Sequence, residues 1–142
     1  MALYRQSAIE RDNMTPFPQQ QPEACREPVL RLRAEPRSTN AHGRVHAGWL
    51  MFQIDTAGAI CAERLARGPV TTVAVNAFQL TSPIHVGDVV SLYAECFRLG
   101  QKSVTLKVTV EAERLGGEVV PITEVIATYV AIDAEGKSRI IS

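Results

Sequence analysis

The sequence predicts an α+β fold in which an antiparallel sheet curls around one long helix. Three observations carry this: one helical run from Gly48 to Arg67, four later segments rich in β-branched and aromatic residues, and short connections that imply antiparallel neighbours. The order β-α-β-β-β-β follows. Ahead of the helix, Leu30, Leu32 and Ala34 alternate with Arg31, Arg33 and Glu35, the pattern of a half-buried strand, and a loop with Pro36, Asn40 and Gly43 comes next.

The helix closes at Gly68 and Pro69, both stop signals, which gives it a length of about 30 Å. In its first turns Trp49, Leu50, Met51, Phe52 and Ile54 surround most of the axis, so that half is expected to be buried. Gln53, Asp55 and Glu63 interrupt the run well short of the ~18 unbroken apolar residues of a membrane span. The strand segments are "VTTVAVNAFQL", "DVVSLYAECFRL", "SVTLKVTVEAERL" and "VVPITEVIATYVAID", separated by "SPIHVG", "GQK" and "GG". Such a sheet has two edges and one helix to cover a face, which leaves surface for another subunit and predicts a homo-oligomer.

Composition narrows the partners. The 142 residues are 46% hydrophobic, enough for one domain with its own core. Fifteen basic and fifteen acidic residues cancel, so no overall field draws in a polyanion, and neither nucleic acid nor a membrane surface is an expected partner. Residues 1–28, with "MTPFPQQQPEACREP", read as a flexible polar tail, and 29–142 as the folded domain. Cys25, Cys61 and Cys96 are an odd number without metal spacing, and "MALYRQSAIE" lacks an apolar secretion core, so the reducing cytoplasm is the expected location.

The chemistry centres on Asp55, a charge inside the apolar run and seven residues after Gly48, so that both lie on roughly one helical face. The first amides of a helix lack intrahelical partners and carry the positive end of its dipole. Ala47 and Gly48 are small and leave those amides approachable. Amides that hold a developing oxyanion, beside a carboxylate that serves as base or nucleophile, are what acyl transfer needs. On spacing alone, a solvent-facing or arginine-paired Asp55 stays open as well. His42 and His46 flank Gly43 in a loop and do not make a metal pair, so no metal is expected. Cys61 and Cys96 lie in apolar runs and read as core; Trp49 and Phe52 suit either an acyl tunnel or packing under the sheet.

The stretch "NAHGRVHAGWLMFQIDTAGAI" resembles the signature of hotdog-fold acyl-CoA thioesterases, and the likeness continues through "SPIHVGDVVSLYAECFRLGQKSVTL" to "YVAIDAEGKSR". It is most similar to the YciA-type branch of broad-specificity acyl-CoA hydrolases, with N-x-x-G, a small-Gly pair and W-L-M-x-x-x-D in that order. The resemblance implies the hotdog fold, an acyl-CoA substrate, no cofactor, a dimer as the catalytic unit and commonly a trimer of dimers. It makes Asp55 the carboxylate that activates water or attacks the thioester, Asn40 the side chain that positions water or the carbonyl, and the amides of Ala47 and Gly48 the oxyanion donors. Asn40 and Asp55 are expected to meet from opposite chains.

Three positions depart from the family pattern: Ala47 replaces the usual first glycine, and neither Ala74 nor Ser82 is basic. The coenzyme A phosphates then fall to other residues, with Arg98, Lys102, Ser103, Lys137 and Arg139 as candidates near turns, and His46 and Trp49 at the substrate mouth. A hotdog acyl hydratase needs a catalytic histidine motif that is not found. A non-catalytic acyl-CoA sensor is disfavoured by the lack of a DNA-binding helix pair.

Overall fold

The computed structural model describes residues 27–76 and 78–141. Strand β1 (Leu30–Arg33) is followed by a 3-10 turn (Pro36–Ser38), helix α1 (Ala47–Ala66), and strands β2 (Val70–Asn76), β3 (Val89–Leu99), β4 (Ser103–Glu113) and β5 (Val119–Ala131). All pairings are antiparallel, in the spatial order β1-β3-β4-β5-β2. This is the expected hotdog arrangement of a five-stranded sheet curled on one long helix.

Alternation decides what the sheet buries. Along β4, Val104, Leu106, Val108, Val110 and Ala112 are fully buried, and along β5 so are Val125, Ala127, Tyr129 and Ala131. These period-two rows face Leu50, Ile54, Ala57, Cys61, Ala62 and Ala66, the buried stripe of α1. The helix ends at Arg67, in the left-handed conformation at φ 58°, with the Gly68 N–H returning to the Glu63 carbonyl.

Two expectations need correction. The first half of α1 is not buried all round: Leu50 and Ile54 are buried and Trp49 and Met51 partly so, but Phe52 is 67% exposed. In the second half Ala57, Gly58, Ala62 and Ala66 are all buried, and Gly58 lies against the Tyr129 ring. The second strand ends at Asn76 instead of running to Leu80, and β2 carries a bulge between Thr72 and Ala74. A tail over residues 1–28 lies outside the described residues but for Glu27 and Pro28.

Candidate active site

Asp55 stands at mid-helix, where α1 crosses β2 and β5. Its Oδ1 accepts hydrogen bonds from the Thr72 hydroxyl at 2.7 Å and the Tyr129 hydroxyl at 3.1 Å. Thr72 and Tyr129 oppose each other in the β2–β5 register and so share a face. Among the described residues no donor reaches Oδ2 of the half-exposed Asp55, which leaves that oxygen available to water or substrate.

At the start of α1 the cap is incomplete. His46 occupies the cap position without a side-chain hydrogen bond, and the first helical bonds are those of Trp49 and Leu50 to its carbonyl. Among the described residues, the N–H groups of Ala47 and Gly48 therefore have no acceptor. A Cβ built on Gly48 meets nothing within 4 Å, so the approach to these amides is open. Ala47, next to Gly48, borders a cleft of about 380 Å³ lined also by Asn40, Arg44, His46, Ser82 and Ile84 among others.

The Asn40 Oδ1 accepts from the backbone N–H of His42 at 2.8 Å and of Arg44 at 3.1 Å, which closes the loop around Gly43 and fixes the amide. With the oxygen occupied, the amide nitrogen is the group that this cleft-lining side chain has left to donate. Its far wall, from Thr81 to Ile84, is tied by the Val45 N–H to the Ile84 carbonyl and by Arg114 Nη1 to the Pro83 carbonyl.

The other sequence-derived candidates divide between two ends of the molecule. His46 lines the cleft; Trp49 does not, and packs half-buried against the core. Arg98, Lys102 and Ser103 belong to the β3–β4 hairpin, which bonds through Lys102 and Gln101 to Ala131 and Ile141. Lys137 is in an exposed turn organised by Asp133. Arg139 donates from Nε to the Ile132 carbonyl and from Nη2 to the Ala66 carbonyl, so its guanidinium caps the C-terminus of α1 and is not offered as a whole to an anion. This cationic end is where α1 stops, about 30 Å from the cleft where it starts. One chain thus brings Asn40, His46 and Ala47 together, and leaves Asp55 and the cations elsewhere.

Thr72 and Tyr129 are absent from the sequence-derived set. The signal for Tyr129 was present, since a tyrosine at an inward strand position needs a partner for its hydroxyl. Thr72 was not recoverable, because strand register is not readable from the chain.

Residues 42–120 match the model of the family described as Thioesterase superfamily. The chain belongs to this thioesterase superfamily. Among its relatives, the acyl-CoA thioester hydrolase YciA of Escherichia coli strain K12 is 43% identical over 115 residues, 78% of this chain and 87% of that protein. An uncharacterized acyl-CoA thioester hydrolase of Haemophilus influenzae is 41% identical over 117 residues, 80% of this chain and 76% of its own. Among solved superfamily structures, the hexameric thioesterase y2039 from Yersinia pestis superposes with a TM-score of 0.80 at 42% identity, covering 86% of this chain and 98% of that one. HI0827, a hexameric broad-specificity acyl-coenzyme A thioesterase, gives 0.79 at 38%, covering 87% and 86%. No described helix is long and apolar enough to cross a membrane, and no described group of three His, Cys, Asp or Glu side chains is placed to hold a metal ion.

Proposed function

We propose that this chain hydrolyses fatty acyl-CoA thioesters to free acid and coenzyme A, with Asp55 as the general base. The observation that carries the reading is the Asp55 carboxylate, held at one oxygen by Thr72 and Tyr129 and open at the other. In this scheme Oδ2 takes a proton from water as the water oxygen attacks the thioester carbon. The carbonyl oxygen becomes an oxyanion that accepts from the Ala47 and Gly48 amides, where one such donor lowers the barrier by about 3 kcal/mol. Collapse breaks the carbon–sulfur bond, and the protonated carboxyl returns its proton to the leaving thiolate. Asn40 orients the carbonyl or the water through its amide nitrogen.

The catalytic unit in this proposal is a homodimer in which Asp55 of one protomer faces the Asn40 cleft of its partner, and dimers assemble in threes. The separation of Asp55 from that cleft within one chain supports this, as do exposed Phe52 and Val73 on α1 and β2 and the hexameric state of the similar thioesterases. Arg98, Lys102, Ser103 and Lys137 are the proposed anchors for the coenzyme A phosphates. The reaction needs no cofactor, and the proposed location is the cytoplasm.

The test is thiol release across acyl-CoAs from acetyl to palmitoyl. Asp55→Asn is expected to lower turnover by about 10²- to 10⁴-fold while coenzyme A binding and fold persist. Wild-type turnover in that variant removes Asp55 from the mechanism.

A further inference from the structure

Tyr129 is a fully buried side chain on β5, and its one side-chain polar atom ends on Asp55. The hydroxyl lies 3.1 Å from Oδ1 and 3.2 Å from the Asp55 carbonyl oxygen, so one proton serves two acceptors of the same residue. The phenol reaches that far because position 58, one turn along α1, has no side chain: a Cβ on Gly58 falls 2.8 Å from the Tyr129 Cζ and closer still to its oxygen.

We propose that Tyr129, through the clearance left by Gly58, is a positioning residue that clamps the Asp55 carboxylate and turns Oδ2 toward the reacting water. The inference rests on the reading of Asp55 as the base. An aspartate carboxylate rotates through a broad torsional well, so an unclamped one presents either oxygen in many directions. Of the two donors to Oδ1, Thr72 is exposed on edge strand β2, next to its bulge. Tyr129 is buried in β5 and paired on both sides, with β4 and β2, so it is the stationary anchor. Burial, and then the Asp55 charge, push the phenol far above the ordinary 10.0, which keeps it a proton donor throughout the working pH range. The titratable groups that face it are Asp55 and Cys61, both on α1, while Thr72 on β2 faces the carboxylate as an uncharged donor.

Tyr129→Phe keeps the ring and removes only the hydroxyl. The expected result is a roughly 10-fold lower kcat with KM within about twofold, in a protein with an unchanged circular dichroism spectrum. The acid limb of the kcat–pH profile is expected at higher pH, because the carboxylate has lost a donor to its charged form. Carbon-13 titration of the Asp55 carboxyl gives the same shift without reference to turnover. Gly58→Ala, which displaces the phenol, is expected to reproduce both effects; if it fails to fold, the Phe variant decides alone. Wild-type kcat with an unmoved acid limb and Asp55 titration, in a protein that Asp55→Asn inactivates, overturns the clamp and leaves Asp55 in its role. A kcat loss matched by a lower Tm, with the limb and the titration unmoved, reduces Tyr129 to packing and overturns it too. Turnover that survives Asp55→Asn overturns both readings.

Discussion

Asp88 is 2% exposed, and burial on that scale is costly for a carboxylate without partners. Its Oδ2 accepts from the His85 N–H at 2.8 Å and from the Arg114 guanidinium, which also bonds the Pro83 carbonyl at 3.1 Å. The pair ties one wall of the cleft to the hairpin between β4 and β5. Arg114→Ala leaves the carboxylate buried with half its partners and is expected to cost about 3–5 kcal/mol, read as a lower midpoint in urea unfolding. Tyr129 adds a pH dependence on the alkaline side. Its folded-state value lies above the 10.0 of an unfolded chain, so between the two the native state holds a proton that the unfolded state has lost. Stability from this source is intact below pH 10 and declines as pH rises past it. Melting curves from about pH 8 to pH 11 are expected to fall less steeply in Tyr129→Phe than in the wild type.

At the scale of elements, the end of α1 distinguishes a structural from a binding arginine. Arg139 bonds the Ala66 and Ile132 carbonyls at 3.1 and 2.8 Å, closing the last helical turn onto the segment after β5. Arg139→Ala is expected to lower stability by about 1–2 kcal/mol with KM for acyl-CoA little changed. A large rise in KM at constant Tm shows that the side chain serves coenzyme A instead. The elements themselves were legible: the turn signals at Gly68–Pro69 and "GQK", and the alternation in β4, place α1, β3 and β4 within a residue or two of where they lie. What escaped depends on the third dimension. The apolar run at Trp49–Ile54 reads as core because periodicity does not say whether the chain itself or a second copy covers Phe52. Strand β2 stops at Asn76, opposite Ile126, although "FQL" at residues 78–80 has strand propensity; there the Gln79 carbonyl accepts from the Thr123 side chain instead of joining a backbone ladder. At the candidate site, Asp55, Asn40 and the helix start were visible as residue types at a spacing. The convergence of Thr72 and Tyr129 depends on register and was not.

For the whole molecule, the separation of Asn40 from Asp55 makes a prediction that no single variant tests. If each site draws Asn40 from one chain and Asp55 from the other, a mixed dimer of Asn40→Ala and Asp55→Asn protomers has one site with both defects and one with neither. Co-expressed with different tags, random pairs are expected to recover roughly a quarter of wild-type activity, and doubly purified ones about half. Mixed dimers as inactive as their parents place the site within one chain. The topology also orders events in time. The strands β3, β4 and β5 follow one another in sequence and in space, whereas four-residue β1 pairs Leu30 with Leu92 across a long span of chain. Loop closure of that length is slow, so the meander is expected to form early and β1 to dock late on the β3 edge. A four-residue edge strand has few bonds to lose, so amide hydrogens of Leu30–Arg33 are expected to exchange with solvent well ahead of those in β4. Because β1 leads through the Pro36–Ser38 turn into the Asn40 loop, each opening of that strand is expected to loosen one wall of the cleft while the helix and the Asp55 carboxylate stay folded.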